Sequence, residues 1–386
     1  MRVATGGKLG AVLVLLVAGS GSASTARPPE VRPRVIPVTG KDLLTAEWSP
    51  DGKRLACMGV DNTLYVLDST TGKRLQTRRF RRTAGKVRWR PDWQRLAVPR
   101  PDGRIEVWDT SRWKVVRTLR LRAPRERAGK VEGLAWSPDG ASLAVAKSGG
   151  DQPGSYDLET GKYHLRVSTR NQVHVWDVAT GRQRCVLPHR RTVGPLQGHE
   201  YYRFDVAWRP DGKRLATCLN SSENWSSRLQ IWDAATGRRV RELGGLPEGG
   251  PEAPAWRPDG KRLAAVWGGI TVWDPTAGRV VRILANEEWP GAPKDWSPGA
   301  LAWSPDDTYL AARNFNDYYG YATDNVAPIR IWNVASGKPV CLLRQPGAFL
   351  EGPVWSPDGT RLACAASDGT LRIWDLRFLT KNTRVR

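Results

Sequence analysis

Residues 354–375 read VWSPDGTRLACAASDGTLRIWD, and this stretch indicates how the whole chain is built. Ser356-Pro357-Asp358-Gly359 predicts a turn, because proline presets the backbone at its second position and glycine closes it. Asp368-Gly369 predicts a tight hairpin turn. Residues 371–374 alternate apolar and polar side chains, as a half-buried strand does. The stretch therefore predicts three consecutive antiparallel strands joined by two short turns.

The same pattern occurs seven times along the 386 residues. A Trp-(Ser/Arg)-Pro-Asp step begins at Trp48, Trp89, Trp136, Trp208, Trp256, Trp303 and Trp355. Each copy ends in Trp-Asp or a related pair: Leu67-Asp68, Trp108-Asp109, Trp176-Asp177, Trp232-Asp233, Trp273-Asp274, Trp332-Asn333 and Trp374-Asp375. A repeat of about 40–45 residues that carries a Trp-Asp pair is typical of propeller blades.

The chain resembles the seven-bladed WD-repeat β-propellers, and the resemblance covers about residues 33–377. It implies an all-β fold of seven four-stranded antiparallel blades, with a structural role for the Trp-Asp pairs. We expect blades near residues 41–82, 83–122, 130–188, 202–245, 251–286, 299–344 and 350–377. Blade 7 has only three good strands, and an open ring would expose strand edges. We therefore expect residues 34–39 to form its outer strand.

The repeats depart from the family pattern at several places. The Gly-His pair of the family occurs only at Gly198-His199, and Leu67 and Asn333 replace the Trp and the Asp of two pairs. Trp93 stands where the turn of blade 2 favours glycine. We therefore expect tryptophan packing, rather than the buried hydrogen-bond network of the family, to provide most of the stability.

The amino terminus is typical of an export signal. Arg2 and Lys8 precede an apolar run at residues 11–18, and small residues follow it. We expect a signal peptide at residues 1–26, a linker at 27–32 and a basic tail at 378–386. The mature chain would then be periplasmic, secreted or held at the cell surface, and no later segment could span a bilayer.

The bulk composition leaves few classes of site open. The formal charge of +22 favours attraction to polyanions or acidic partners, or else reflects arginine at solvated turn positions. Cys57 and Cys364 follow the same Leu-Ala step in two blades, Cys218 lies one residue later in a third, and Cys185 and Cys341 lie in equivalent outer strands. All five are expected to be small buried hydrophobic residues. No Cys/His spacing suggests a metal site, and we expect no cofactor.

Long insertions favour one side of the ring. In a four-stranded blade, the inner-to-second and third-to-outer turns lie on one face, which we name the turn face. The second-to-third and blade-to-blade connections lie on the opposite face, which we name the loop face. All six long insertions fall on the loop face: residues 149–170, 220–227 and 314–327 within blades, and 120–130, 188–202 and 285–298 between blades. Because repeat proteins place such insertions at their binding side, the loop face is the predicted binding surface.

The candidate partner-binding residues form a basic arc and an aromatic arc on this face. The basic arc comprises Arg79, Arg81, Arg82, Arg122, Arg125, Arg190 and Arg191, with His189 beside the last two. The aromatic arc comprises Tyr201, Tyr202, Trp225, Trp289, Tyr318, Tyr319 and Tyr321. Exposed Trp, Tyr and Arg anchor protein interfaces. The alternative is that these aromatic residues pack inside their own loops.

Three functions are weighed against these patterns. The first is a non-catalytic, monomeric scaffold that binds a protein, peptide or glycan, including acidic partners, through the loop face. The second is binding of an anionic glycan or surface polymer by the basic arc; an export signal argues against nucleic acid. The third is a hydrolase, for which no motif with a nucleophile, base or metal is present. We favour the first.

Overall fold

The computed structural model describes residues 31–121, 131–147, 155–157, 162–164, 170–190, 202–221, 228–244, 252–266, 269–284, 298–314, 329–343 and 348–381. These residues form seven four-stranded antiparallel sheets, one two-stranded hairpin and one short helix. In blades 1 to 6 the strands follow one another in sequence from the inside of the ring outwards, as short-range antiparallel pairing favours. The protein is therefore a seven-bladed β-propeller, as the repeats predict.

The strand bounds follow the sequence repeats closely. Blade 1 comprises β2 (Leu43–Trp48), β3 (Arg54–Gly59), β4 (Thr63–Asp68) and β5 (Arg74–Arg79). Blade 2 comprises β6 (Arg88–Trp89), β7 (Arg95–Pro99), β8 (Arg104–Asp109) and β9 (Lys114–Arg120). Blade 3 comprises β10 (Val131–Trp136), β11 (Ser142–Lys147), β14 (Arg170–Asp177) and β15 (Arg182–Arg190), and its insertion carries the hairpin β12 (Ser155–Asp157) with β13 (Lys162–His164).

The remaining blades have the same order. Blade 4 comprises β16 (Tyr202–Trp208), β17 (Arg214–Ser221), β18 (Arg228–Asp233) and β19 (Arg239–Leu243). Blade 5 comprises β20 (Glu252–Trp256), β21 (Leu263–Val266), β22 (Ile270–Asp274) and β23 (Arg279–Leu284). Blade 6 comprises β24 (Pro298–Trp303), β25 (Tyr309–Asn314), β26 (Ile329–Asn333) and β27 (Pro339–Leu343). Blade 7 comprises β28 (Val354–Trp355), β29 (Arg361–Ala365), β30 (Thr370–Asp375) and β1 (Arg34–Pro37).

The ring is closed by the first strand of the chain. Strand β1 pairs antiparallel with β30, so that Arg34 lies opposite Ile373. The side chain of Ile36 is buried against blades 7 and 1. The predicted outer strand of blade 7 is therefore confirmed, although regular pairing stops two residues before the predicted end at Thr39. The amide of Thr39 still donates to the carbonyl of Gly369, at 3.0 Å.

A tryptophan at the end of each inner strand joins neighbouring blades. The indole Nε1 of Trp208 donates to the carbonyl of Ala135 in the preceding blade, at 2.9 Å. Trp48, Trp136, Trp256, Trp303 and Trp355 make the equivalent bond at 3.0–3.2 Å. Because each bond crosses a blade boundary at a buried or, for Trp208, partly buried side chain, the six bonds fix the spacing of the blades as well as adding to their stability.

Blade 2 replaces this bond with aromatic stacking. The indole Nε1 of Trp89 is buried and has no acceptor among the described residues. Its ring instead stacks on Trp93, with ring centroids 4.4 Å apart, and meets Trp113 edge-on. Trp93 and Trp113 occupy the two turn positions that are glycine in most blades, and both have a positive φ, of 61° and 51°. In blade 2 the packing of an aromatic cluster therefore offsets the backbone strain at two turns.

The Trp-Asp pairs are structural. The third-strand side chains of Trp176, Trp232, Trp273, Trp332 and Trp374 are buried between blades. The carboxylate of Asp233 accepts hydrogen bonds from the amide and hydroxyl of Thr236 and so caps the third-to-outer turn. Asp109, Asp177 and Asp274 cap the same turn in their own blades, whereas Asp375 caps the start of helix α1 (Arg377–Lys381).

None of the five cysteines forms a disulfide. Cys57, Cys218, Cys341 and Cys364 are buried, and Cys185 is half-buried. Burial raises the pKa of the Cys341 thiol to about 12, which keeps the group neutral. This arrangement agrees with the expectation that the cysteines act as small hydrophobic residues.

Candidate functional site

The strand order assigns every connection to a face. Antiparallel pairing places the turns at Gly52 and Gly72 on the turn face and the turns at residues 59–62 and 366–370 on the loop face. All six predicted insertions leave and re-enter at strand ends on the loop face, but most of their residues lie outside the described ranges. The described residues cover the loop face without a gap in blades 7, 1 and 2, that is, from residue 348 in blade 7 to residue 121 in blade 2.

The described part of the basic arc is exposed and unpaired. Arg79, Arg81 and Arg82 are all exposed at the end of β5 and in the connection to blade 2. Across the described ranges, none of the three lies within 4.0 Å of a carboxylate. Since neighbouring carboxylates do not neutralise them, their positive charge is directed at solvent and at any approaching partner.

Phe80 anchors this basic segment in the protein. Its side chain is only 3% exposed, and its ring meets the ring of Trp108 edge-on at a centroid distance of 5.4 Å. The guanidinium of Arg100 lies 5.9 Å from the Phe80 ring, pairs with Glu106 and donates to the carbonyl of Arg82 at 2.6 Å. The arginines are thus presented on a segment held from beneath, which limits the entropy that a partner must overcome on binding.

Asn62 fixes the other side of the segment. Its side-chain oxygen accepts two hydrogen bonds from Thr83, one from the amide and one from the hydroxyl, both at 2.8 Å. Its backbone carbonyl accepts the amide of Phe80, also at 2.8 Å. These bonds tie the basic segment to the second-to-third turn of blade 1.

Charged side chains lie at the mouth of the central channel. Lys86 Nζ lies 2.8 Å from Glu351 Oε2 and links the inner strands of blades 2 and 7 past blade 1. Deeper on blade 1, Glu47 pairs with Arg88 at 3.4 Å and accepts the amide of Trp89. Burial raises the pKa of Glu47, and the nearby Arg88 charge partly offsets this rise.

Two exposed apolar side chains on this face were missed by the sequence argument. Phe349 is 47% exposed where the chain enters blade 7, and Val60 is 47% exposed in the second-to-third turn of blade 1. Neither residue belongs to a long insertion, so the sequence contained little indication that its side chain would be exposed. Together with the arginines they give the sector an apolar component as well as charge.

His189 does not belong to the exposed basic arc. Its ring is buried, 4.8 Å from the ring of Phe204 and 5.2 Å from the ring of Trp232. Burial, reinforced by the charge of Arg239, lowers the pKa of His189 to about 3, so that the ring is neutral at pH 7. The expectation that it adds positive charge beside Arg190 is therefore wrong.

The other candidates contribute only backbone positions or lie outside the described residues. Arg190 ends β15 and Tyr202 begins β16, both at the loop face. Arg122, Arg125, Arg191, Tyr201, Trp225, Trp289, Tyr318, Tyr319 and Tyr321 lie outside the described residues.

The titratable groups serve the fold. Hydrogen bonds from Ser111 and from the turn amides lower the pKa of Asp109 to about 2, and Asp68, Asp177, Asp233 and Asp274 have lowered pKa values for the same kind of reason. Within the described ranges, no three His, Cys, Asp or Glu side chains are placed to hold a metal ion. No described helix is long and apolar enough to span a bilayer.

Comparison with known proteins supports this architecture. The WD domain, G-beta repeat family matches residues 190–233 and 349–375, which belong to blades 3, 4 and 7. The chain is 26% identical over 273 residues to the WD repeat-containing protein slp1 of Schizosaccharomyces pombe, covering 63% of this chain and 49% of that protein. It is 24% identical over 227 residues to the Ribosome biogenesis protein WDR12 homolog of Chlamydomonas reinhardtii, covering 53% and 49%.

A third relative gives a similar result. The Small ribosomal subunit protein RACK1y of Oryza sativa subsp. japonica is 24% identical over 226 residues, covering 57% of this chain and 63% of that protein. The chain spans about half the length of the first two relatives, and none of the three is named for a catalytic activity. The protein is thus a seven-bladed β-propeller whose repeats are similar to the WD domain, G-beta repeat.

Proposed function

We propose that the protein is a non-catalytic interaction scaffold that binds a protein, peptide or glycan partner through its loop face. The observation that carries the proposal is the segment around Phe80, where a buried ring supports three exposed arginines that have no carboxylate partner among the described residues. Arginine on a rigid support suits binding to carboxylate or phosphate groups, because its fork-shaped guanidinium donates to two oxygens at once.

The relatives support a role in assemblies. One is named as a protein of the small ribosomal subunit and another for ribosome biogenesis, so two similar proteins are named for the ribosome. Those names describe the relatives. For this chain they favour a partner of macromolecular size over a small substrate.

The charge of the described segment favours an acidic partner. Arg79, Arg81 and Arg82 add three positive charges within four residues, and Lys86 is already neutralised by Glu351. Complementary charge of this kind accelerates association and selects against basic partners. Phe349 and Val60 supply apolar contact in the neighbouring blades.

The test compares two variants with the same change in charge. In the loop-face variant Arg79, Arg81 and Arg82 are replaced by Glu; in the control, Lys53, Arg182 and Arg238, all exposed on the turn face, are replaced by Glu. Affinity capture from an extract of the source cells should recover the same partners with the wild type and the control and lose them with the loop-face variant. Equal recovery by all three proteins would contradict the proposal.

Binding to an anionic glycan or surface polymer is the second candidate, favoured by the same exposed arginines. Retention on heparin should then fall steeply with salt, and the loop-face variant should elute at a much lower salt concentration than the control. If the two variants elute together, retention reflects the overall charge of +22 rather than a site.

We include export and a monomeric state in this proposal. Export follows from the pattern of residues 1–26, and amino-terminal sequencing of protein recovered outside the cytoplasm tests it. A closed ring leaves few unpaired edges for association, and sedimentation should show a mass near 43 kDa or slightly below.

A further inference from the structure

A polar cleft opens on the turn face between blades 3 and 4. Its volume is about 370 Å³. Its lining includes Trp208, Asp139, Ser142, Gly212 and Lys213, together with the ion pair between Arg214 and Asp233. Arg184 reaches its rim from the outer strand of blade 3 and donates to the hydroxyl of Ser142 at 2.9 Å.

At three other blade boundaries an arginine of the protein covers the same place. The guanidinium carbon of Arg361 lies 4.5 Å from the ring centroid of Trp48, that of Arg209 lies 5.8 Å from Trp256, and that of Arg257 lies 6.0 Å from Trp303. In each pair the arginine belongs to one blade and the tryptophan to the next. The covered tryptophans occupy the position that Trp208 occupies in blade 4.

These arginines also share their polar partners. Each lies near the aspartate of the turn in its own blade: Arg209 with Asp211 at 3.6 Å, Arg257 with Asp259 at 3.7 Å and Arg361 with Asp358 at 3.9 Å. Arg361 additionally donates to the carbonyl of Gly52 in the next blade, at 3.0 Å. The shared surroundings are therefore an aromatic face and a carboxylate, and in blade 1 also a turn carbonyl.

Blade 3 lacks the residue that would cover Trp208. Two positions of a blade can supply it: the first and the sixth residues after the inner-strand tryptophan. These are Ser137 and Ser142 in blade 3. The other blades have at least one large side chain there: Arg54 in blade 1, Arg90 and Arg95 in blade 2, Arg209 and Arg214 in blade 4, Arg257 and Arg262 in blade 5, Tyr309 in blade 6 and Arg361 in blade 7.

The groups that surround an arginine elsewhere are present in this cleft. Within the described chain, no guanidinium or ammonium lies over the ring of Trp208. Asp139 accepts the hydroxyl of Ser137 and the amide of Ala141 through Oδ1, and it forms no ion pair with a described residue. The carbonyl of Gly212 is the counterpart of the Gly52 carbonyl.

We propose that this cleft binds the guanidinium of an arginine side chain presented by a partner protein. The guanidinium stacks on Trp208, and its N–H groups donate to the free carboxylate oxygen of Asp139 and to the carbonyl of Gly212. The arginine of the partner thereby makes with Trp208 the contact that Arg361 of this protein makes with Trp48. The site lies on the face opposite the proposed loop-face surface and does not depend on it.

The neighbouring cations are compatible with this ligand. Lys213 directly follows its turn glycine, as Lys53 and Lys261 do in blades 1 and 5. At those two blade boundaries Arg361 and Arg209 lie over the tryptophan in spite of the neighbouring lysine. Arg184 is held at the rim by Ser142, and Arg214, which also lines the cleft, is paired with Asp233. A planar guanidinium, rather than an ammonium, is expected because only it combines stacking with two directed hydrogen bonds.

The test is calorimetric titration with acetyl-Gly-Arg-Gly-amide, the matching lysine peptide and methylguanidinium. The arginine peptide should bind more tightly than both. Ser142→Arg should reduce its affinity at least about tenfold and raise the melting temperature, because the introduced side chain reproduces the Arg361 contact. Asp139→Asn should weaken binding about tenfold, through loss of a charge-assisted hydrogen bond.

Asp358→Asn is the matched control. It removes the same turn carboxylate where Arg361 already covers Trp48, so it should leave the titration unchanged. The proposal is overturned if the arginine peptide fails to bind, binds Ser142→Arg as well as the wild type, or binds no better than the lysine peptide or methylguanidinium. Binding of acetate that excludes the peptide would also overturn it, by assigning an anion site. None of these results bears on the loop-face proposal, because its variants alter other residues.

Discussion

The indole Nε1 of Trp48 donates a hydrogen bond to the carbonyl of Val354, 3.2 Å away, and so joins the first blade to the last across 306 residues of sequence. The same boundary is sealed by Arg361, which lies over the Trp48 ring, and by β1, which completes blade 7. The ring is therefore held closed by contacts between the two ends of the propeller, and its stability should depend on them.

Truncating Ile36 should destabilise the closed ring. Its side chain is 4% exposed in β1, so Ile36→Ala should lower the free energy of unfolding by about 2–5 kcal/mol. Val35→Ala is the control, because Val35 is 46% exposed in the same strand and its loss should change stability by about 0.5 kcal/mol or less. Denaturant unfolding measures both. Similar losses in the two variants would mean that β1 does not seal the ring.

Acid should destabilise the protein through His189. Its pKa is lowered to about 3 in the folded state by burial, against an ordinary value of 6.5. Above pH 6.5 neither state binds the proton. As the pH falls from 6.5 towards 3, the unfolded state takes it up first, and stability should fall by about 3 kcal/mol at pH 4.

The variant His189→Leu should remove this part of the pH dependence. Unfolding free energies at pH 7 and pH 4 in wild type and variant provide the measurement. His174→Gln is the comparison, because His174 is also buried but donates a hydrogen bond from Nδ1 to the side-chain oxygen of Gln183. An unchanged difference between the two pH values in His189→Leu would show that His189 is already accessible to protons.

Replacing Trp93 by glycine should destabilise blade 2, although the change removes the unfavourable positive φ of Trp93. Relief of the strained backbone is worth about 1–3 kcal/mol, whereas deleting a buried tryptophan side chain costs about 3–5 kcal/mol. Trp93→Gly should therefore lower stability by about 2 kcal/mol. Trp113→Gly should cost less, because Trp113 has a similar φ but is only partly buried. A stabilised Trp93→Gly would show that strain outweighs the stacking on Trp89.

Thiol reagents should modify Cys185 first. It is the half-buried cysteine, whereas Cys57, Cys341 and Cys364 are buried and burial raises the pKa of each thiol. Because the thiolate is the reactive form, the buried thiols should react only as the protein unfolds. Labelling with a chromogenic disulfide should show one early equivalent that Cys185→Ser abolishes. Several early equivalents would contradict the buried packing.

The fold could be predicted because its determinants are local. A turn such as Ser49-Pro50-Asp51-Gly52 specifies its hairpin within a few residues, since Ser49 accepts the amide of Arg54 and donates to Asp51. Seven such turns in register fix the blade count. Closure by β1 followed from the missing fourth strand of blade 7.

The site could be predicted only in part, because its contacts are long-range. Lys86 and Glu351 are 265 residues apart, and no local pattern pairs them. His189 was assigned to the surface because it precedes two arginines. The alternation along β15 predicts the correct side. Leu187 is buried and Pro188 is exposed, so His189 falls on the buried side. The cleft over Trp208 was missed because it depends on two small residues, Ser137 and Ser142, at positions that are large elsewhere.

Closure by β1 also constrains how the protein is made. Strand β1 is synthesised before all the other described strands, whereas its partner β30, which ends at Asp375, is the last of them. During translation the side chains of Ile36 and Val38, which are buried in the closed ring, must therefore avoid contact with other chains until β30 has left the ribosome. Such a long wait with an unmatched edge favours aggregation, so yield should depend strongly on chaperone supply and on the rate of elongation.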